Sequence, residues 1–268
     1  MSAIVSSECV ILKRQDLAES DVLVTFLTRD KGRMKGVVKG SKKITGRGVG
    51  SFEPMTLGVM HYTERNGNDL VNIRKCDPRP PYLFLQQDYR KLLLAGYFGD
   101  LMQITTIPST EAERFHGMLS AAIARLCEEA TGRDLVLLRL GYEIDFMQAL
   151  GVQFHWHACV NCGARIYQRI EGRLKLIRQE THQADFGAGG IRCPDCRASG
   201  SNILDVSPGT LAFLAAWRGD PDGVKVQPTR VALRELEEVL SRHLVHQLER
   251  RPRSLSLLPP IETWLDAS

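Results

Sequence analysis

Two Cys-x-x-Cys pairs carry the clearest chemistry in this sequence: Cys159-Val160-Asn161-Cys162, followed by Gly163, and Cys193-Pro194-Asp195-Cys196. Two intervening residues let a chain turn tightly and aim both sulfurs at one ion, and two such knuckles complete the tetrahedral thiolate shell of a single structural Zn2+. Four unrelated thiols are the weaker reading, because both pairs fall within fewer than 50 residues that offer little apolar core. A thioredoxin-like role does not fit either, since neither pair opens a helix after a parallel strand. Thirty residues separate the knuckles, more than the roughly 15 to 20 of an ordinary ribbon. A hairpin over Arg165 to Arg178, turning at Glu171-Gly172, and a loop over Gly187 to Gly190 are expected to absorb the surplus. His155, His157 and His182 are nearby substitutes, but four cysteines already fill the shell. Such a closed site leaves no position for water, so it points to scaffolding and away from hydrolysis.

A second constellation is electrostatic. Arg29, Lys31, Arg33, Lys35, Lys39, Lys42, Lys43 and Arg47 are opposed only by Asp30, a net charge of +7 over 19 residues. The centre of this run, Gly40 to Gly48, is too polar and glycine-rich for a core and reads as a loop between strands. Arg33, Lys35 and Lys39 share parity, so a strand would turn them to one face. Such cations displace counterions from phosphates; if five engage, binding falls with a log–log salt slope of about −3.5 for single strands and about −4.5 for duplex. The contacts would carry no sequence information. Arg29, Arg33, Lys35, Lys39, Lys42, Lys43 and Arg47 are the candidate DNA contacts. Phe26, Phe52 and Tyr62 are either stacking platforms or, in the better reading, filling for a barrel. A solvated face of no consequence is the competing account of the run.

Positioning these residues takes two kinds of structure. Cys9–Lys13, Val22–Thr28, Arg33–Lys39, Met55–Tyr62 and Leu70–Lys75 are short runs of β-branched or alternating apolar residues, with a hairpin-forming Asn66-Gly67 between the last two. Five such strands suit a small closed barrel of the OB type, though an SH3-like barrel has nearly the same periodicity. Asp77-Pro78-Arg79-Pro80-Pro81 ends the strand pattern. Helical spacing follows through Leu92 to Met102. A capping-box pattern at Thr110 to Glu113 opens a second helix, and Arg133 to Leu150 forms a third that Gly151 terminates. After the cysteine-rich stretch, Ser207-Pro208 restarts a helix, and a last one runs from about Thr229 to Glu249. The expected architecture is α+β: residues 1–79 an OB-fold DNA-binding barrel, 80–151 the first part of a helical domain, 152–201 an inserted zinc-binding module, and 202–268 the second part of the helical domain.

The totals are those of an ordinary globular protein, 43% hydrophobic and 25% charged, with a net charge of +4. The charge is unevenly spread: residues 1–90 hold fifteen Lys and Arg against ten Asp and Glu. No stretch approaches the roughly 18 apolar residues of a membrane span, and Met1 to Glu8 lacks the features of a signal peptide. A cytoplasmic, nucleoid-associated protein is expected, in which disulfides are not the use of the seven cysteines. Cys9, Cys76 and Cys127 are then small core residues. No Walker A loop, dinucleotide fingerprint, His-x-Glu, His-Glu-x-x-His or serine elbow is present. No enzymatic activity is expected.

Several stretches also resemble the RecO family. They are Val10-Ile11-Leu12-Lys13-Arg14, Glu19 to Val24, Phe26 to Arg33, Lys39-Gly40-Ser41, Phe52 to Gly58, Phe146 to Gly151 and the Cys159-x-x-Cys162-Gly163 knuckle. The resemblance implies a non-catalytic mediator of DNA repair and homologous recombination. It would bind single- and double-stranded DNA and anneal complementary strands. With RecR, and with the acidic C-terminal tail of single-strand binding protein, it would help load RecA. The tail would require an apolar groove rimmed by Arg or Lys on the helical part, for which Arg133 and Arg139 are candidates. A zinc-ribbon adaptor for protein partners, with an incidental basic loop, is the alternative. A metal-dependent nuclease would need an acidic cluster that the sequence does not offer.

Overall fold

A computed structural model of the chain describes residues 3–17, 20–40, 52–64, 70–79, 85, 88–128, 131–219 and 227–266. They form two compact units, Met1–Leu138 with Pro252–Leu258, and Arg139–Arg251 with Pro259–Ser268. The boundary falls inside the third helix.

In the first unit, strands β1 (Ile4–Asp16), β2 (Val22–Thr28), β3 (Gly32–Val38), β4 (Leu57–Thr63) and β5 (Leu70–Pro78) close a barrel in the order β1-β2-β3-β5-β4. Every pairing is antiparallel except β3 with β5. The five expected strands are all present, with β1 extended at both ends. Alternation places Cys9, Ile11, Val24, Phe26, Met60, Tyr62, Val71 and Ile73 in the barrel core. Phe26 and Tyr62 meet there with ring centroids 6.1 Å apart, and Phe52 joins the same cluster. The aromatics therefore fill the barrel. Gly36 makes this packing possible: a Cβ on it would lie 2.7 Å from Ile73 and 2.8 Å from Val71, so a side chain on β3 would collide with those crossing from β5.

The other face of β1 is buried as well, at Val10 and Leu12, because helices α1 (Tyr89–Ile104) and α2 (Ala112–Glu128) pack on the barrel. That explains a continuous apolar run where a half-exposed strand would alternate. α1 starts at Asp88, whose carboxylate accepts from the Arg90 amide at 2.9 Å. The expected capping box does not form. A 3-10 turn over Ser109–Glu111 without side-chain cap precedes α2, and the Glu113 carboxylate instead accepts from Arg29. A tertiary ion pair takes up the carboxylate that the local capping hydrogen bond would have used.

The second unit holds the rest of α3 (Gly132–Ala149), then α4 (Pro208–Gly219), α5 (Arg230–Leu248) and α6 (Ile261–Asp266). Gly151, at φ 75°, stands just beyond α3. Ser207 caps α4 by accepting from the Thr210 amide at 3.3 Å, and Thr229 caps α5 from the Ala232 amide at 3.1 Å. Between α3 and α4 lies an antiparallel hairpin, β6 (Tyr167–Ile170) with β7 (Arg173–Leu176), turning at Glu171-Gly172. After it, β8 (His182–Asp185), β9 (Gly190–Arg192) and β10 (Ile203–Val206) form a sheet in the order β10-β8-β9. The inter-knuckle surplus is thus spent on two hairpins.

Candidate functional sites

The first knuckle is shaped by the Gly163 amide, which bonds back to the Cys159 carbonyl at 2.9 Å, and by the Cys159 amide, which donates to Ala164 at 2.8 Å. Gly163 sits at φ 75°, a region that a side chain would strain. Strand β9 delivers the second knuckle, whose Cys196 amide donates to the Cys193 carbonyl at 3.0 Å. The Val160 amide bonds the Ile191 carbonyl at 2.9 Å and stitches the two knuckles together. As a result the four Sγ atoms all lie within 4.8 Å of one another, and Cys162 and Cys193 are 3.7 Å apart. A tetrahedron with metal–sulfur bonds of 2.3 Å has an edge of about 3.8 Å, so the set suits one ion.

The surroundings also suit a cation. The Cys193 amide donates to Cys159 Sγ and the Asn161 side chain to Cys196 Sγ, both at 3.3 Å, a pattern that orients and stabilises thiolates. Burial opposes ionisation of Cys159, yet the amides of Cys193, Cys162 and Asn161 outweigh it and bring the thiol down to about 6. Burial, followed by the neighbouring thiols, pushes Cys193 up to about 12. Four sulfurs this close cannot all carry charge unaided, whereas a metal ion removes the conflict. The histidines stay outside: His182 Nδ1 bonds the Glu180 carbonyl at 2.8 Å, and His157 sits edge-on to Tyr167.

On the barrel, strand register places cations that lie far apart in sequence on one face. Lys13 pairs with Thr25, Thr25 with Lys35, and Lys35 with Leu70; directly paired residues share a face. Lys39 follows at the end of β3, and Arg74 continues the outward alternation of Leu70 and Asn72. Lys13, Lys35, Lys39 and Arg74 are exposed and have no carboxylate partner among the described residues. Sequence reading missed Lys13 and Arg74. The only linear signal for Lys13 was a charge ending an apolar run, and Arg74 joins through the parallel β3–β5 pairing.

Two of the sequence candidates are engaged with protein groups. Arg29 bonds Glu113 at 2.5 Å and Glu8 at 3.3 Å. Arg33 donates to the carbonyls of Met102 at 3.1 Å and Thr105 at 2.8 Å, and also to that of Gln103. These carbonyls end α1 and lack helical partners, so Arg33 pins the helix to the barrel. Lys42, Lys43 and Arg47 lie outside the described residues. Arg139, named above for a peptide groove, is corrected: its side chain is 4% exposed and bonded to Glu143 and Glu237. Arg133 is exposed.

Replacing Arg33 with Ala should therefore cost about 1.5–3 kcal/mol, the range for hydrogen bonds from a charged donor, and leave the salt slope of DNA binding unchanged. Urea unfolding and a salt titration check this. A slope lowered by about 0.7 for single strands, with stability intact, would return Arg33 to the contact set.

Barrel order and knuckle together define an α+β protein of the OB-barrel class, with a helical unit that carries a metal-competent four-cysteine centre. Residues 1–82 match the family described as recombination protein O N terminal, and residues 86–256 its C-terminal counterpart. A DNA repair protein RecO of Roseiflexus sp. (strain RS-1) is 27% identical over 266 residues, 98% of this chain and 87% of the relative. Those of Anaeromyxobacter dehalogenans (strain 2CP-C) and Geobacter metallireducens are each 28% identical, covering 90% and 96% of this chain and 91% and 97% of their own. The chain belongs to the RecO family of DNA repair and recombination proteins.

Proposed function

We propose that this protein is a non-catalytic mediator of DNA repair that binds single- and double-stranded DNA on its barrel and anneals complementary strands. With RecR and single-strand binding protein it helps to load RecA in the cytoplasm. The observation that carries this reading is the outward cationic band Lys13, Lys35, Lys39 and Arg74 on an OB-order barrel. Lys42, Lys43 and Arg47 follow it in the chain. Annealing needs a surface that lowers repulsion between two phosphate backbones and leaves the bases free. A fully occupied four-thiolate Zn2+ would hold the knuckles together as scaffold and take no part in chemistry.

Support for capture of an acidic tail comes from the second unit. There an apolar cavity of about 520 Å3 is lined by Phe154, Trp156, Tyr167 and Leu214, and Arg218, which is ion-paired to Asp145, stands in its wall. None of the described helices is long and apolar enough to cross a membrane.

Changing Lys39, Lys42, Lys43 and Arg47 together to Ala is expected to lower the log–log salt slope by about 2.8 for single strands and about 3.6 for duplex, with unfolding unchanged. A fluorescence annealing assay on strands coated with single-strand binding protein should lose the acceleration in parallel. Unaltered binding by this variant would defeat the assignment. Tight protein capture with no oligonucleotide affinity at low salt would favour the adaptor reading.

A further inference from the structure

The run Gln153 to Val160 lines the cavity of the second unit without a break, and it ends on the first knuckle, Cys159 included. The chain leading to the second knuckle holds this run in place. The His155 amide bonds the Gly189 carbonyl, and the Ile191 amide the His155 carbonyl, both at 2.9 Å. Gly190 admits the close approach: a Cβ there would lie 2.5 Å from the Val160 side chain and 2.7 Å from the His155 carbonyl oxygen. β9 then passes into Cys193, whose amide reaches Cys159 Sγ at 3.3 Å. Cavity wall and four-sulfur centre are one assembly.

The four sulfurs are not equally placed. Cys159 and Cys193 are buried, Cys196 is half-buried and Cys162 is exposed. Cys162 also stands 3.7 Å from Cys193. A peroxide arriving from solvent thus meets Cys162 first, since oxidation follows thiolate character and exposure, and a second sulfur is already beside it. Cys9 and Cys76, by contrast, are shut inside the barrel core.

We propose that Cys162 and Cys193 are a peroxide-sensitive pair, whose joining releases the metal and loosens the cavity wall. Cys162 attacks one peroxide oxygen, the O–O bond breaks, hydroxide leaves and a sulfenic acid remains. Cys193 attacks that sulfur, an S–S bond forms and a second hydroxide departs. The two sulfurs lose two electrons and the peroxide gains them. Cys159 and Cys196 are left as two ligands where a closed structural site takes four. The ion remains a scaffold, because every reacting atom is sulfur or oxygen. As Cys193 is drawn to Cys162 its amide leaves Cys159, and the lining run loses its anchor at that end. Any consequence for peptide capture rests on the reading of this cavity as the acceptor of an acidic tail.

The test treats the metal-loaded full chain with hydrogen peroxide and follows released metal with a chromogenic chelator. One equivalent should release one ion per chain and lower the count of seven thiols by two, with Cys162 joined to Cys193 in the peptide map. Hydrogen exchange of residues 153–160 should rise while the barrel strands stay protected, and dithiothreitol with Zn2+ should reverse the change. The variant C162H keeps four ligands, since imidazole replaces thiolate in Cys3His sites, and should hold its metal at a peroxide dose that strips wild type. Wild type that keeps its metal, C162H stripped as readily, or a bridge between other cysteines overturns the proposal. So does metal loss that leaves residues 153–160 protected. If C162H binds no metal, trapping wild type with dimedone decides, because a sulfenic acid on any cysteine but Cys162 also overturns it. A labelled C-terminal peptide of single-strand binding protein separates the two readings. Binding lost on oxidation supports both, and binding that survives oxidation overturns the loosening. No binding to the reduced chain defeats tail capture alone, and the pair is then judged by metal release and exchange.

Discussion

Cys159→Ser or Cys193→Ser is expected to abolish metal binding and to unfold the knuckle region of the second unit. The expectation follows from how little else holds that region. Its strands are three or four residues long, and the segments bearing the two knuckles meet through the sulfurs and a few backbone bonds, His155–Gly189, Ile191–His155 and Val160–Ile191. Binding of a structural Zn2+ contributes about 10–16 kcal/mol in small zinc-dependent peptides, and in such cases it is folding free energy. Here part of the module also leans on a helix: Phe154, whose ring packs at a tilt against Trp156 with centroids 4.5 Å apart, meets His243 of α5 edge-on. The damage should therefore stay local, with the barrel strands still protected. Elemental analysis should give one metal per wild-type chain and none for either variant. Hydrogen exchange should show residues 155–206 opening in the variants and in chelated wild type. A serine variant that keeps its metal and its protection would sink the assignment of the centre.

The barrel was legible because its signal is local. Five runs of alternating apolar residues, broken by polar turns, name their own strands and their inward set, and Phe26, Phe52 and Tyr62 went inside as that pattern implies. The cysteines were legible for a similar reason, since spacing inside each knuckle reports the turn. What could not be read was long-range pairing. Arg33 has the parity of a surface contact, yet the end of α1, about 70 residues later, lies against it. Arg74 and Lys13 enter the cationic band only through register between strands that the linear pattern does not pair. Thr110 to Glu113 spelled a helix start correctly to within a turn, but the Glu113 carboxylate was claimed by Arg29 on the barrel. Periodicity fixes which way a residue points; only the tertiary fold decides what it meets.

Arg139 shows the same limit, and it yields the other large effect. Within the second unit its guanidinium bonds Glu143 at 3.1 Å and Glu237 at 2.6 Å, with Arg139 4% and Glu143 0% exposed. Burial raises the Glu237 carboxyl above its ordinary range despite the attraction of Arg139, so desolvation is the dominant cost in this cluster. Arg139→Met should then destabilise the chain by about 3–5 kcal/mol, the penalty for breaking a buried pair by removing one partner. Most of that penalty belongs to the two carboxylates left behind, and above all to Glu143, which is fully buried where Glu237 is 22% exposed. Accordingly, Arg139→Met combined with Glu143→Leu should recover much of the loss, because apolar residues of similar volume avoid the desolvation that the ion pair must offset. Urea unfolding of the two single variants and the double variant measures this as a cycle. If the double variant is as unstable as the sum of the two singles, the pair is not coupled through charge. Arg139 would then act as packing, its aliphatic stem filling space between α3 and α5.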